Sequence, residues 1–532
     1  MEIDLFGKFF KKLKYTFILT NQEKQLYKNF DVKSTGDINI QQQNIILLQC
    51  IEDYYYFALF GLIVKGLKND QVNKFTVMQY VPRNSSVGAS KNLLGILKSF
   101  LLYNGFRDNK WIKLYSSYCA QVAFRNEGST SLVFNLKAFF EAYKIFKTLK
   151  TKDNLVKLKI MGITVGDLIY DSYLRYKPAA TVDLKDTYLL IVIWQTLRNI
   201  KNATDFFQVS DVKILLTSYS SYIQHGVVTR IALQHRVKVF SFGDYGLFYS
   251  HLTTDYWFHT KDCRYYKNDF NKISSNVKLD LSRKALADRF NGKIDLATSY
   301  MKESAYKKHN IKVPNVKNKV VIFLHDFFDS PHIYKTMLFP DFYEWFEKTI
   351  QILNNSNIDY YIKEHPNQIN DSALVVAKLK KQYKDLKFLS NKITNKQLVE
   401  NGIIAGISVY GTVAHELAYL GIPVVLCGDN PHSSYDFTFE AKSLSEYTSL
   451  LENIYSLKLP INTKYQVESF YYMHNLNYTP KMLELLQLMK ELRDISSITE
   501  NLNLQKWDDI LNRMSENIEF KIFIQDLKKQ LA

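Results

Sequence analysis

The chain has 532 residues, 46% of them apolar and 23% charged, which suits a soluble globular protein with more than one core and excludes a single small domain. The formal net charge of +17 favours anionic partners, but the basic residues are spread along the chain and no zinc finger or RNA-recognition motif accompanies them, so no nucleic-acid partner is expected. Cys50, Cys119, Cys263 and Cys427 have neither metal-ligand nor CxxC spacing, which excludes a disulfide scaffold and predicts a cytoplasmic setting.

In chain order, Leu5, Phe6, Phe9, Phe10, Leu13 and Phe17 recur at helical spacing, with Lys8, Lys11, Lys12 and Lys14 between them. Such a segment either packs on its own domain or rests on anionic lipid, so residues 5–17 are a candidate peripheral membrane contact. No clean apolar run marks a secretory signal, and the longest apolar stretch, Tyr54 to Val64, reads as a buried helix rather than a membrane span. Residues 40–150 read mainly helical. Gly162 to Lys177 reads as a loop leading into a helix, and residues 185–202 as a further apolar helix.

From Val212 the pattern changes. Val212 to Leu216 and Val237 to Phe242 are short β-branched runs flanking a helix-like segment, which is a βαβ unit with a parallel sheet. A second α/β series begins at Lys319 to Leu324. It continues with strands at Tyr360–Lys363, Lys387–Leu389, Gly402–Ile407 and Pro423–Cys427, separated by helices. The expected fold is therefore α/β, with two Rossmann-like doubly wound domains and helical extensions at both ends. The expected domains are an α/β domain with helical additions over 1–311, a second Rossmann-like domain over 312–480 and a helical extension over 481–532.

In open α/β sheets ligands sit beyond the carboxyl ends of strands, near helix N-termini. The segment Ser408 to Glu416 places Ser408, Gly411, Thr412 and His415 in such a strand-to-helix turn, where free N–H groups hold a phosphate. Glu416, one turn into the helix, is placed to accept from ribose hydroxyls. Lys363-Glu364-His365-Pro366 ends another strand, and His365 there can stabilise or protonate a departing phosphate. His325 and Asp326 end the strand that opens the series and are candidates to line the donor pocket. Their spacing to Asp329 and His332 matches no standard metal site, and no metal is expected. Asp244, in Phe242-Gly243-Asp244-Tyr245-Gly246, is either a general base or nucleophile toward an acceptor, or the support of a turn between two glycines. Asp167 and Asp171 are rival carboxylates, while Arg175 and Arg230 are candidates to neutralise an anionic substrate.

At Glu364-His365-Pro366, Ser408 to Glu416 and Ala418 to Val425 the chain resembles the bacterial capsule and lipopolysaccharide glycosyltransferases of GT-B fold, in the group that includes the β-Kdo transferases. The His-Pro pair also resembles that of GT-B sialyltransferases using CMP-sialic acid, and the resemblance implies that His365 contacts the donor phosphate. In those enzymes an acidic pair before a glycine supplies the base. Asp244-Tyr245-Gly246 departs from that pattern, because Tyr245 stands where an acid is expected. The resemblance covers roughly 319–450, is thin over 160–250 and is absent over 1–150. It implies a cytoplasmic, metal-independent transferase moving a sugar from a nucleotide donor, first of all a CMP-linked ulosonic acid such as CMP-Kdo, to a glycan or glycolipid acceptor. Similar turns occur in UDP-GlcNAc 2-epimerases, and CDP-glycerol polymerases share the architecture. A nucleotide-sugar epimerase, a CDP-polyol polymer transferase and a non-catalytic scaffold of capsule assembly therefore stand as alternatives.

Overall fold

The computed structural model describes residues 16–31, 44–68, 75–82, 109–126, 132–177, 179–244, 246–273, 276–295, 304–307, 309–366, 368, 370–497 and 503–531. Residues 5–15 of the amphipathic segment, and Tyr245, lie outside them. The chain forms two compact units. One comprises residues 1–176, 184–259 and 478–532, the other residues 177–183 and 260–477.

The sheet of the first unit begins with β1 (Ile45–Gln49), whose five residues are all buried. After it comes α1 (Tyr54–Lys68), in which every residue from Tyr54 to Val64 is buried, as expected for a helix enclosed on all sides. Next are β2 (Thr76–Val81), β3 (Gln121–Arg125), α2 (Leu132–Thr148), α3 (Gly166–Tyr176) and α4 (Thr187–Val209). The sheet is completed by β4 (Val212–Thr217), α5 (Val227–Gln234), β5 (Lys238–Ser241) and β6 (Ser250–Leu252). The strand order is β3-β2-β1-β4-β5-β6. All pairs are parallel except β5 with β6.

In the second unit, α6 (Asn276–Phe290) precedes β7 (Val320–Phe323), α7 (Phe342–Asn355), β8 (Tyr360–Lys363), α8 (Asn370–Gln382) and β9 (Phe388–Leu389). Then come α9 (Asn395–Glu400), β10 (Ala405–Ile407), α10 (Thr412–Tyr419), β11 (Val424–Leu426), β12 (Phe439–Glu440) and α11 (Thr463–Tyr471). Its order, β9-β8-β7-β10-β11-β12, is wholly parallel. The pleat sends Val320 and Ile322 into one apolar cluster with Trp345 and Phe346, and Val321 and Phe323 into another with Leu398 and Leu417. Asp341 caps α7 by accepting from the Glu344 N–H at 2.8 Å, and Thr394 and Gln397 form a capping box on α9. The chain ends in three helices of the first unit, α12 (Pro480–Ser496), α13 (Leu504–Glu516) and α14 (Ile518–Leu531).

Both units are thus Rossmann-like, with the strand order reversing between β1 and β4 in one and between β7 and β10 in the other. Two expectations are amended. Helices are the larger part of the described residues of 40–150, as expected, but the same stretch also supplies the strands β1, β2 and β3. Ile45–Gln49 is apolar without alternation because both its faces are covered, so its periodicity matches that of a buried helix. The division at 312 and the separate extension from 481 fail. Residues 260–477 belong with the second unit, where α6 reaches α10 through Arg289 and Glu416, and α12 to α14 belong to the first. Among the described residues no helix is long and apolar enough to cross a membrane.

Candidate functional site

The reversal point of the second unit brings the ends of β7, β8 and β10 together. His325 lies flat on Phe342, with ring centroids 4.6 Å apart and 11° between planes, and meets Tyr410 edge-on. Its Nε2–H donates to the Tyr410 carbonyl at 2.8 Å. Burial, with His365 nearby, lowers its pKa to about 3, so it is neutral at pH 7. Asp326 accepts from the Phe328 N–H at 3.0 Å and from the Ser372 hydroxyl, which ties the loop after β7 to α8.

Lys363 and His365 end β8. The Lys363 side chain is 4% exposed and makes no hydrogen bond or ion pair among the described residues. Burial lowers its pKa to about 8 despite the opposing pull of Glu416 and Glu364. His365 carries a buried Nδ1 with no hydrogen-bond partner. Its pKa is lowered by burial, with Asp326 opposing and Lys363 adding to the shift. A largely buried lysine and a buried ring nitrogen without partners both cost stability.

The turn before α10 supplies the other wall. Gly411 has φ +112°, a conformation only glycine adopts without strain, and it leaves the first N–H groups of α10 without a side-chain cap. A β-carbon on Gly411 would lie 3.6 Å from His325 Cε1, which places the turn directly beside that ring. Thr412, the first residue of α10, is exposed, whereas Ser408 is buried with its hydroxyl donating to the Phe323 carbonyl at 3.2 Å.

Two expected donor contacts are corrected. His415 faces the core, packed against Phe470 and His432, with burial lowering its pKa to about 4. Glu416 is buried and saturated. Its Oε1 accepts from Arg289 Nε at 2.9 Å and Nη2 at 2.7 Å, and its Oε2 from the Tyr306 hydroxyl at 2.6 Å and Asn395 Nδ2 at 3.1 Å. No acceptor position remains for a ribose hydroxyl. Burial alone would raise its pKa, but Arg289 overcomes this and brings it to about 2. Arg289 also holds Asp295, at 2.6 Å.

In the first unit, Gln49 at the end of β1 accepts from the Thr217 hydroxyl and the Ser218 N–H and hydroxyl, at 2.8–3.0 Å. Its amide nitrogen pairs with His225 Nδ1. His259 is buried edge-on against Tyr219, 5.0 Å between centroids, with Ser220 Oγ 3.3 Å from its Nδ1. Burial lowers the His259 pKa to about 4, and Asp244 opposes the shift. Asp244 therefore lies near His259 and also supports its turn, accepting from the Gly246 N–H at 2.7 Å. His225 and His259 carried no sequence signal, since neither follows a recognisable motif.

Two of the rival candidates, Asp167 and Arg230, are paired with each other. Asp167 and Arg230 form a bidentate pair with one bond at 2.6 Å, Arg230 also donates to the Thr164 carbonyl, and its guanidinium stacks on Trp257 at 4.9 Å. They neutralise each other. Asp171 is buried within α3, and Arg175 is exposed at its last turn. Among the described residues no group of three or more His, Cys, Asp or Glu is arranged to hold a metal ion.

No family model and no curated protein matches the chain. Among solved structures it is similar to the β-Kdo 2,4 transferase KpsC of Thermosulfurimonas dismutans, with TM-score 0.30 and 12% identity over 50% of this chain and 79% of that one. It is also similar to the UDP-GlcNAc 2-epimerase of Neisseria meningitidis, with TM-score 0.23 and 9% identity over 85% and 99%. A third is the wall teichoic acid polymerase TagF, with TM-score 0.20 and 10% identity over 93% and 99%. What the chain itself shows is two Rossmann-like units, each built on its own six-stranded sheet.

Proposed function

We propose that the protein is a glycosyltransferase that takes a sugar from a nucleotide-activated donor bound to the second unit. One observation carries the reading: the largely buried Lys363 side chain, without an ion pair among the described residues, and the unpartnered His365 Nδ1 share the strand-reversal point with the uncapped start of α10. Their shared complement is a phosphate anion. His365 donates to a phosphate oxygen once protonated, Lys363 supplies positive charge, and the α10 N–H groups donate to the remaining oxygens. All three strengthen as the nucleotide leaves, because negative charge accumulates on its phosphate as the glycosidic bond breaks. These groups take the place of a divalent cation, so the proposed reaction is metal-independent. In the first unit Asp244 is the proposed base toward an acceptor hydroxyl, with His259 beside it.

Glu364-His365-Pro366 is the motif shared with transferases of CMP-linked sugars, which makes a CMP-ulosonic acid the first donor to try and a surface polysaccharide or glycolipid the acceptor. The test is thermal unfolding with CMP, CDP, UDP and GDP, repeated with His365→Ala. A nucleotide at about 100 times its Kd stabilises by roughly 2.7 kcal/mol. Selective stabilisation by CMP, reduced in the variant, supports the proposal. Selectivity for UDP or CDP moves the donor class toward that of the epimerases or polyol polymerases, and no response to any nucleotide overturns the enzymatic reading.

A further inference from the structure

The surface of α2 carries a feature unrelated to the nucleotide site. Its inner face is set by Ala138 and Ala142, small buried residues four apart, and by Trp194 of α4, whose Nε1 donates to the Asn135 carbonyl at 3.1 Å. With the helix held in that rotation, its outer face is apolar. Val133 is 62% exposed, Leu136 52%, Phe139 37%, Phe140 62% and Tyr143 44%. At about 100° per residue these five form one stripe about 120° wide. Scattered exposed apolar residues need no explanation, but a continuous stripe containing three aromatic rings is costly in water and marks a contact surface.

Charge identifies the occupant. Lys137 and Lys144 are exposed along one border of the stripe and Lys147 at its end. Between residues 137 and 159 the chain holds seven lysines against Glu141 and Asp153. Aromatic and aliphatic groups beside a row of long basic side chains match an acyl surface lying under anionic headgroups.

We propose that α2 is a membrane-docking helix, lying along an anionic bilayer with Val133, Leu136, Phe140 and Tyr143 inserted and Lys137, Lys144 and Lys147 at headgroup level. The site is distinct from residues 5–17 and does not depend on the proposed donor.

The test is cosedimentation of the full chain with vesicles of phosphatidylcholine and phosphatidylglycerol at about 3:1, against phosphatidylcholine alone. The unmodified protein is expected to bind the anionic vesicles and to be released by salt. Combined Leu136→Ser, Phe140→Ser and Tyr143→Ser should weaken binding about tenfold or more, and combined Lys137→Gln, Lys144→Gln and Lys147→Gln should remove the preference for anionic lipid. All six positions are exposed, so an unchanged urea midpoint verifies folding, and the lysine variant alone decides the matter if the apolar one misfolds. Undiminished binding by both variants overturns the proposal. So does binding lost only on combined Phe6→Ser, Phe9→Ser, Phe10→Ser and Leu13→Ser. A chain that ignores vesicles but changes from dimer to monomer with the apolar variant also overturns it, in favour of a second copy.

Discussion

Replacing Arg289 by Met tests whether Glu416 is a structural anion. The substitution keeps an unbranched apolar stem but removes both bonds to Oε1 and the bond to Asp295, while Tyr306 and Asn395 still donate to Oε2. Removing one partner of a buried ion pair costs about 3–5 kcal/mol, since the remaining charge stays buried without compensation. The pH dependence follows from the sign of the shift. In the native protein the Glu416 pKa lies below its ordinary 4.5, at about 2, so its contribution is fully present above pH 4.5 and is lost as pH falls toward 2. Without Arg289 burial dominates and the pKa rises above 4.5, so acidification protonates Glu416 and removes the buried charge. The deficit of Arg289→Met should therefore be largest near pH 7 and shrink at pH 5 and below. Hydrogen exchange at β7 and β10 amides, read by mass spectrometry across urea, reports the second unit separately from the first. Arg289→Met combined with Glu416→Gln should cost less than the sum of the single changes by about 2 kcal/mol or more. A loss under about 1 kcal/mol, or one independent of pH, would refute the argument and return Glu416 to the candidate ribose ligands.

Lys363→Met should stabilise the ligand-free protein at pH 7 by up to about 3 kcal/mol and weaken pyrophosphate binding in calorimetry. The folded pKa of about 8 lies below the ordinary 10.5, so the buried ammonium costs stability below pH 8 and the cost fades above it; the stabilisation should shrink by pH 9.5, as urea midpoints at the two pH values would show. Gly411→Ala should cost about 1–3 kcal/mol, because its φ of +112° disfavours any side chain, and should reduce pyrophosphate affinity in the same titration. Arg230→Met should destabilise by about 1–3 kcal/mol in urea, by unpairing Asp167, yet leave nucleotide affinity unchanged in thermal shift.

Local pattern carried much of this protein. Val320–Phe323, Tyr360–Lys363 and Ala405–Ile407 were legible as strands because each is a short apolar or β-branched run between helical segments. The ends of those strands in turn marked His325, Lys363, His365 and Gly411 as neighbours at one edge. That inference needs only the rule that parallel strands align their carboxyl ends. Ile45–Gln49 and Thr76–Val81 were not legible as strands, because a strand covered on both faces shows no alternation and only its partners distinguish it from a buried helix. The role of Glu416 was decided only in three dimensions. Its position one turn into α10 was visible in the sequence. Its partners Arg289 and Tyr306, however, lie 127 and 110 residues earlier, in segments whose own periodicity says nothing of α10. The same holds for Asp167 with Arg230 and for Asp244 with His259. Periodicity records which face of an element is buried. Whether a buried charge meets a partner or awaits a ligand depends on which elements pack together, and that is a property of the folded chain alone.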